Sequence, residues 1–131
     1  MFSDIEVCKV DSPAALDRYI KLPFELPNQR PNRVPPLLAD ERDLHDSRTN
    51  PQLMQCSVER WVAWQGTRPV GRIMGIIHHP HNAAHGEHTA RFYQIASIRE
   101  PLVVQALIAT VEAWARSKDM DRVIGPFGFS D

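Results

Sequence analysis

Five histidines crowd one stretch of this sequence: His78, His79, His81, His85 and His88. Neutral imidazole is a good ligand for zinc, copper and nickel. Their spacing matches neither a helical His-Glu-x-x-His pair nor a structural zinc pattern. Pro80, Asn82 and Gly86 instead read as punctuation of a polar loop from His79 to His88, and no bound metal is expected there. His79, Glu87 and Glu59 could each act as a general base toward an amine, which requires reach to the proton and a suitable pKa. Each reads more readily as a solvated surface group, so no residue is assigned a catalytic role. Cys8 and Cys56 have neither the His neighbour nor the Gly-rich elbow that activates a nucleophile. Only two and far apart, they read as reduced thiols of a cytosolic protein, with one disulfide left open. Trp61, Trp64 and Trp114 read as core or interface aromatics rather than a ligand cage.

The elements that would position these residues are clearest from Thr89 to Gly125. Phe92, Tyr93 and Ile95 favour a strand over Thr89 to Ser97. Pro101 suits a first helical turn. Val104, Leu107, Ile108, Val111, Trp114 and Ala115 then recur at steps of three and four, which predicts an amphipathic helix to Ser117. Asp121 to Gly125 is a short strand. Strand, helix and strand form a crossover unit, which sets the two strands parallel.

Upstream, Ile5, Val7 and Val10 predict a first strand. Asp11 or Ser12 caps a helix with Pro13 at its first position and Leu16, Tyr19 and Ile20 on one face. Pro23 and Pro27 are expected to stop that helix. Leu22 to Pro51 is proline-rich yet anchored by Phe24, Leu26, Val34, Leu37 and Leu38, and predicts an ordered excursion with a short helix near Leu37 to Asp46, then a turn at Asn50-Pro51. Val58 to Gln65 alternates, with Val58, Arg60, Val62 and Trp64 on one side and Trp61 and Ala63 on the other. Gln65-Gly66-Thr67-Arg68-Pro69 is a hairpin loop, and Val70 to His78 the returning strand, with Gly71 and Gly75 as points of close approach.

The formal charge is −1, which leaves no global field for nucleic acid or anionic membrane. No apolar run nears the ~20 residues that span a bilayer, and Met1 to Asp11 lacks a signal-peptide core. An apolar share of 43% within 131 residues suffices for the core of one domain.

The hairpin followed by a strand-helix-strand crossover resembles the first half of the Gcn5-related N-acetyltransferase (GNAT) fold, an α/β fold with a mixed sheet. Trp61-Val62-Ala63-Trp64-Gln65-Gly66-Thr67-Arg68-Pro69-Val70-Gly71-Arg72-Ile73 is similar to the hairpin of that superfamily. His81-Asn82, His85-Gly86, Glu112-x-Trp114, Asp119-Met120 and Gly125-Pro126 resemble more specifically a bacterial branch of acetyltransferase-like proteins. The likeness runs from about Pro23 to Asp131. It implies acetyl-CoA as co-substrate in a wedge between the strands flanking the crossover helix. Pantetheine would then pair with Ile95, Ala96 and Ser97, and the pyrophosphate would meet Arg99, Leu102 and Val103 at the helix N-terminus, where free donors and the helix dipole favour anions. It also implies that Gly125-Pro126 and Gly128 border the acyl pocket.

In one place the sequence departs from the superfamily pattern. Ile98-Arg99-Glu100-Pro101-Leu102-Val103 contains no Gly for a pyrophosphate loop, Glu100 adds negative charge, and Pro101 removes a donor. Two functions follow. One is acetyl transfer from acetyl-CoA to a small-molecule or protein amine by direct attack. The other is a non-catalytic binding or interaction domain that retains the fold without the Gly-rich loop. The fold implied by the resemblance continues past Gly125, so we expect one domain incomplete at its C-terminus. Its last strand would be an uncovered edge inviting self-association, with Phe127 and Phe129 exposed beside it.

Overall fold

The computed structural model of the chain describes residues 4–26 and 38–129. Five strands form one sheet in the order β1-β2-β3-β4-β5. They are β1 (Ile5–Lys9), β2 (Cys56–Gln65), β3 (Arg68–His78), β4 (Thr89–Ser97) and β5 (Arg122–Ile124). The first three pairings are antiparallel. β5 joins β4 in parallel, through Thr89–Arg122, Ala90–Val123 and Arg91–Ile124. The meander and the parallel pair are as the sequence predicts.

Helix α4 (Pro101–Ser117) covers one face of the sheet, burying Val103, Leu107, Val111 and Ala115. Leu107, Val111 and Ala115 are in the stripe expected from the sequence, and Ile108 and Trp114 pack against the same side, but Val103 takes the place of Val104, which is exposed. The helix sits close because β3 offers glycine on that face. A Cβ on Gly71 would lie 2.9 Å from Val103 Cγ1, and one on Gly75 would lie 2.6 Å from the Trp114 ring. Trp114 meets Trp61 edge-on, with centroids 5.7 Å apart. Edge-to-face rings add to the area they bury.

The other face carries α1 (Pro13–Glu25) and α2 (Leu38–Leu44). The Ser12 side chain accepts from the Ala15 N–H at 3.1 Å and caps α1, with Pro13 in the first turn. Contrary to expectation, α1 runs through Pro23 to Glu25. A proline there cannot donate to the carbonyl four residues back. That carbonyl, of Tyr19, accepts instead from Arg72 Nη1 at 2.9 Å. Pro27, Val34 and Leu37 lie outside the described residues. The second core, under α1, gathers Tyr19, Ile20, Leu22, Val62, Met74, Ile76 and Phe129.

Two further expectations are corrected. His79 to His85 is a helix, α3, and not a loop. His78 Nδ1 accepts from the His81 N–H at 3.1 Å, Pro80 sits in the first turn, and Gly86 ends the helix at φ +63°. Proline early and glycine late are helix punctuation as well as loop signals. Phe129 is buried, although Phe127 is exposed. The tail folds back over the sheet: the Phe127 N–H donates to the Phe92 carbonyl at 3.1 Å, and Arg91 Nη1 to the Gly128 carbonyl at 2.8 Å.

Candidate functional site

β5 accompanies β4 only from Thr89 to Arg91, whereas β4 continues to Ser97 along β3. The ladder between them thus ends partway along β4, and the Phe127 N–H on the Phe92 carbonyl keeps the following chain beside it. At the same point β4 is irregular. Tyr93 pairs with Met74 and Ala96 with Arg72, so Gln94 and Ile95 together oppose Ile73. Gln94 has φ +54°, a left-handed conformation that few residues other than glycine adopt. This is a β-bulge, a device that re-aims a strand.

Beyond the bulge, β4 leads to the N-terminus of α4 and an open depression of about 530 Å³ lined by Ser97, Ile98, Arg99, Glu100, Pro101 and Val104. Ile95 is half-buried against the α4 core and Ala96 against the other. Ser97 Oγ donates to the Ile98 carbonyl at 2.9 Å. Arg99 is exposed and Leu102 half-exposed, whereas the Val103 side chain is fully buried. The residues singled out for a cofactor thus gather at one end of the sheet. Glu100 is the N-cap of α4. Its carboxylate accepts from the Leu102 N–H at 3.2 Å and its carbonyl from the Val103 N–H at 3.0 Å. Two donors of the helix terminus are therefore engaged by Glu100 itself.

On the α1 side of the bulge lies a polar network that the sequence reading missed. Arg72, Glu41 and His45 are all buried. Arg72 Nε donates to the Gln94 carbonyl at 3.1 Å, Nη1 to the Tyr19 carbonyl, and Nη2 reaches Glu41 Oε1 at 3.4 Å. The guanidinium also lies 4.7 Å from the centroid of the Tyr19 ring. Gln94 Nε2 donates to Glu41 Oε2 at 2.7 Å. Gln94 Oε1 meets Tyr19 Oη at 3.2 Å and His45 Nε2 at 2.8 Å. Arg60 Nε donates to His45 Nδ1 at 2.6 Å, which places the proton of the neutral ring on Nε2. Burial, then the Arg60 and Arg72 charges, hold the His45 pKa down at about 4. Burial raises that of Tyr19 and lowers that of Arg60. A sequence signal did exist: Arg72 interrupts the apolar run from Val70 to Ile77 in a central strand, and a charge buried there needs partners.

The histidines of α3 stand at the opposite end of the β3–β4 hairpin from Ser97. His81 and His85 stack with centroids 4.2 Å apart, and His81 Nε2 lies 3.6 Å from Glu87 Oε1. Glu87 also pairs with Arg122 at 3.1 Å. His79 Nε2 is 2.8 Å from Ser57 Oγ, and Glu59 faces Lys9 at 3.7 Å. Among the described residues, no three His, Cys, Asp or Glu side chains are arranged to hold a metal ion. Cys8 and Cys56 are free thiols, and burial pushes the pKa of each up, away from thiolate character.

No family model matches the sequence. Over 129 residues it is 33% identical to Bacterial ceramide synthase of Caulobacter vibrioides, covering 98% of this chain and 34% of that protein. Over 115 residues it is 35% identical to Protein YghO of Escherichia coli, covering 88% of this chain and 29% of the other. The chain thus spans about a third of the length of the curated relatives it matches. Among solved structures it resembles a tandem GNAT protein from the clavulanic acid biosynthesis pathway, with TM-score 0.65 and 20% identity, over 88% of this chain and 34% of that one. It also resembles the acetyltransferase AAC(6')-Iy, in complex with a bisubstrate analogue of CoA, with TM-score 0.61 and 15% identity, over 96% of this chain and 81% of that one. These likenesses show the fold, which for this chain is that of the Gcn5-related N-acetyltransferase-like superfamily.

Proposed function

We propose that this chain contributes to an N-acyltransferase that moves an acyl group from a CoA thioester, acetyl-CoA in the simplest case, to an amine. The observation that carries the reading is the bulged β4, which runs on to Ser97 beyond the end of its ladder with β5. A thioester laid along Ile95 to Ser97 would be held by strand backbone, with its oxygen facing fixed donors rather than water. Arg99, Leu102 and Val103 at the start of α4 would meet the pyrophosphate. Further chain, of the kind the longer relatives carry, would complete the wedge. The resemblance to a ceramide synthase supports amide formation on an amine, since a ceramide is an N-acyl amide, and adds long-chain amines to the acceptors worth testing.

The second reading, a non-catalytic binding domain, is favoured by one observation. Glu100 already engages the Leu102 and Val103 N–H groups that a diphosphate would use. For CoA to bind there, the Glu100 carboxylate must swing away. Calorimetric titration with acetyl-CoA separates the two readings. The acyltransferase reading expects saturable binding in the micromolar range, and thiol release when an amine is supplied. No heat at millimolar acetyl-CoA would sink it and leave the binding domain.

A further inference from the structure

Gln94 is held more tightly than a strand residue needs to be. Its side-chain oxygen uses two lone pairs, for Tyr19 Oη and His45 Nε2, and its amide N–H donates to Glu41. Its backbone carbonyl is gripped by Arg72, which is itself fixed by the Tyr19 carbonyl and Glu41. Glu41 is the one buried residue among the described residues of α2. It therefore joins α2 to the one residue of β4 with a left-handed φ. A glycine could take that φ without help. A glutamine there is held by its surroundings, and such over-determined backbone clusters at functional sites. What Gln94 determines is the direction in which Ile95, Ala96 and Ser97 leave the bulge.

We propose that Glu41 and Gln94 are positioning residues, which hold the bulge of β4 so that the backbone from Ile95 to Ser97 faces the acyl thioester at the correct angle. This rests on the acyltransferase reading above. The pair touches neither donor nor acceptor; it acts through the strand. Its loss should therefore slow the chemical step more than it weakens donor binding.

The hydrogen bonds dictate a discriminating test. In Glu41→Gln, a new NH2 group must face either the Gln94 amide or the Arg72 guanidinium, donor against donor. In Gln94→Glu, two carboxylates meet across a 2.7 Å contact. In the swapped double variant E41Q/Q94E every bond can re-form. The amide introduced at position 41 would accept from Arg72 and donate to the carboxylate introduced at position 94. The other oxygen of that carboxylate would still accept from Tyr19 and His45.

The assay uses the protein at its natural full length. Acetyl-CoA and palmitoyl-CoA serve as donors, ethanolamine, spermidine and sphinganine as acceptors, and CoA thiol release is followed at matched folded fraction. Each single variant should lose about tenfold or more in kcat, with KM for the donor changed by less than about twofold. The swap should return kcat to within about threefold of the parent. Gln94→Gly, which accepts the left-handed φ without strain and keeps the Arg72 bond to its carbonyl, should fold and still lose kcat, because no side chain then ties the bulge to Glu41, Tyr19 and His45. Parental kcat in Gln94→Gly, parental kcat in both single variants, or a swap no better than either single variant would each overturn the proposal. A parent protein that neither binds acetyl-CoA nor releases thiol overturns the acyltransferase reading, and the proposal falls with it. An active parent with indifferent variants overturns the proposal alone.

Discussion

Acid should loosen this protein through His45 before its carboxylates finish titrating. The ring is buried, with Arg60 donating to Nδ1, Gln94 accepting from Nε2, Tyr19 edge-on and Arg72 nearby. A proton on Nδ1 would have to displace the Arg60 donor and sit among two cations. The folded pKa is about 4, against ~6.5 in an unfolded chain. The folded state thus binds the proton more weakly than the unfolded state. Its stabilising contribution is complete above about pH 6.5 and drains away as pH falls toward 4. Roughly 2.5 units at ~1.4 kcal/mol each make about 3 kcal/mol in total, of which about 2 kcal/mol is lost between pH 7 and pH 4.5. His45→Gln isolates this effect. Gln offers an acceptor to Arg60 and a donor to Gln94 and does not titrate, whereas every carboxylate is left in place. Urea unfolding, followed by tryptophan fluorescence at the two pH values, should show the parent losing about 2 kcal/mol more than His45→Gln on acidification. Parallel losses in the two proteins would refute the buried neutral histidine.

Other perturbations test neighbouring parts of the structure. Arg72→Met should destabilise by about 3–5 kcal/mol in urea unfolding, because Glu41 is left as a buried, uncompensated charge and two carbonyls lose a donor. Gly125→Ala should cost about 1–3 kcal/mol, since its Cβ would lie 2.6 Å from the Phe92 carbonyl oxygen, which is backbone and cannot rotate away. Ser12→Ala should cost about 1 kcal/mol by removing the cap of α1, again read from urea midpoints. Glu100→Ala should tighten acetyl-CoA binding in calorimetry by severalfold, by freeing the Leu102 N–H and removing a like charge. Unchanged or weaker binding would mean that Glu100 does not compete with the diphosphate.

The sheet was legible because its signals are local. Alternation along Val58 to Gln65 sorted Trp61 and Ala63 from Val58, Val62 and Trp64, and the two cores divide them the same way. The bounds of α4 followed from Pro101 and an apolar recurrence, although Val103 rather than Val104 leads the buried stripe. α3 reads as a loop in the sequence because Pro80 and Gly86 mark helix ends as readily as loops, and because His78 supplies an unusual cap. The site was half legible. The end of β4 and the start of α4 were found as a pair because the chain itself joins them. The network around Gln94 was not found, because its members come from α1, α2, β2, β3 and β4. Glu41 and Gln94 lie 53 residues apart, and only the fold makes them neighbours.

Pro23 and Arg72 stand in an unequal relation, and the inequality gives the sequence a direction of drift. The Tyr19 oxygen has two lone pairs and accepts from Arg72, whereas Pro23 has no N–H to offer it. Replacing Pro23 first, by alanine for example, hands that oxygen a second donor from within the helix and leaves Arg72 where it is. Replacing Arg72 first removes a donor that Pro23 cannot replace. The proline can be lost while the arginine stands, whereas the arginine can be lost cheaply at this contact only after the proline has gone. For two residues 49 positions apart in the sequence, the cost of replacing both thus depends on the order in which they are replaced.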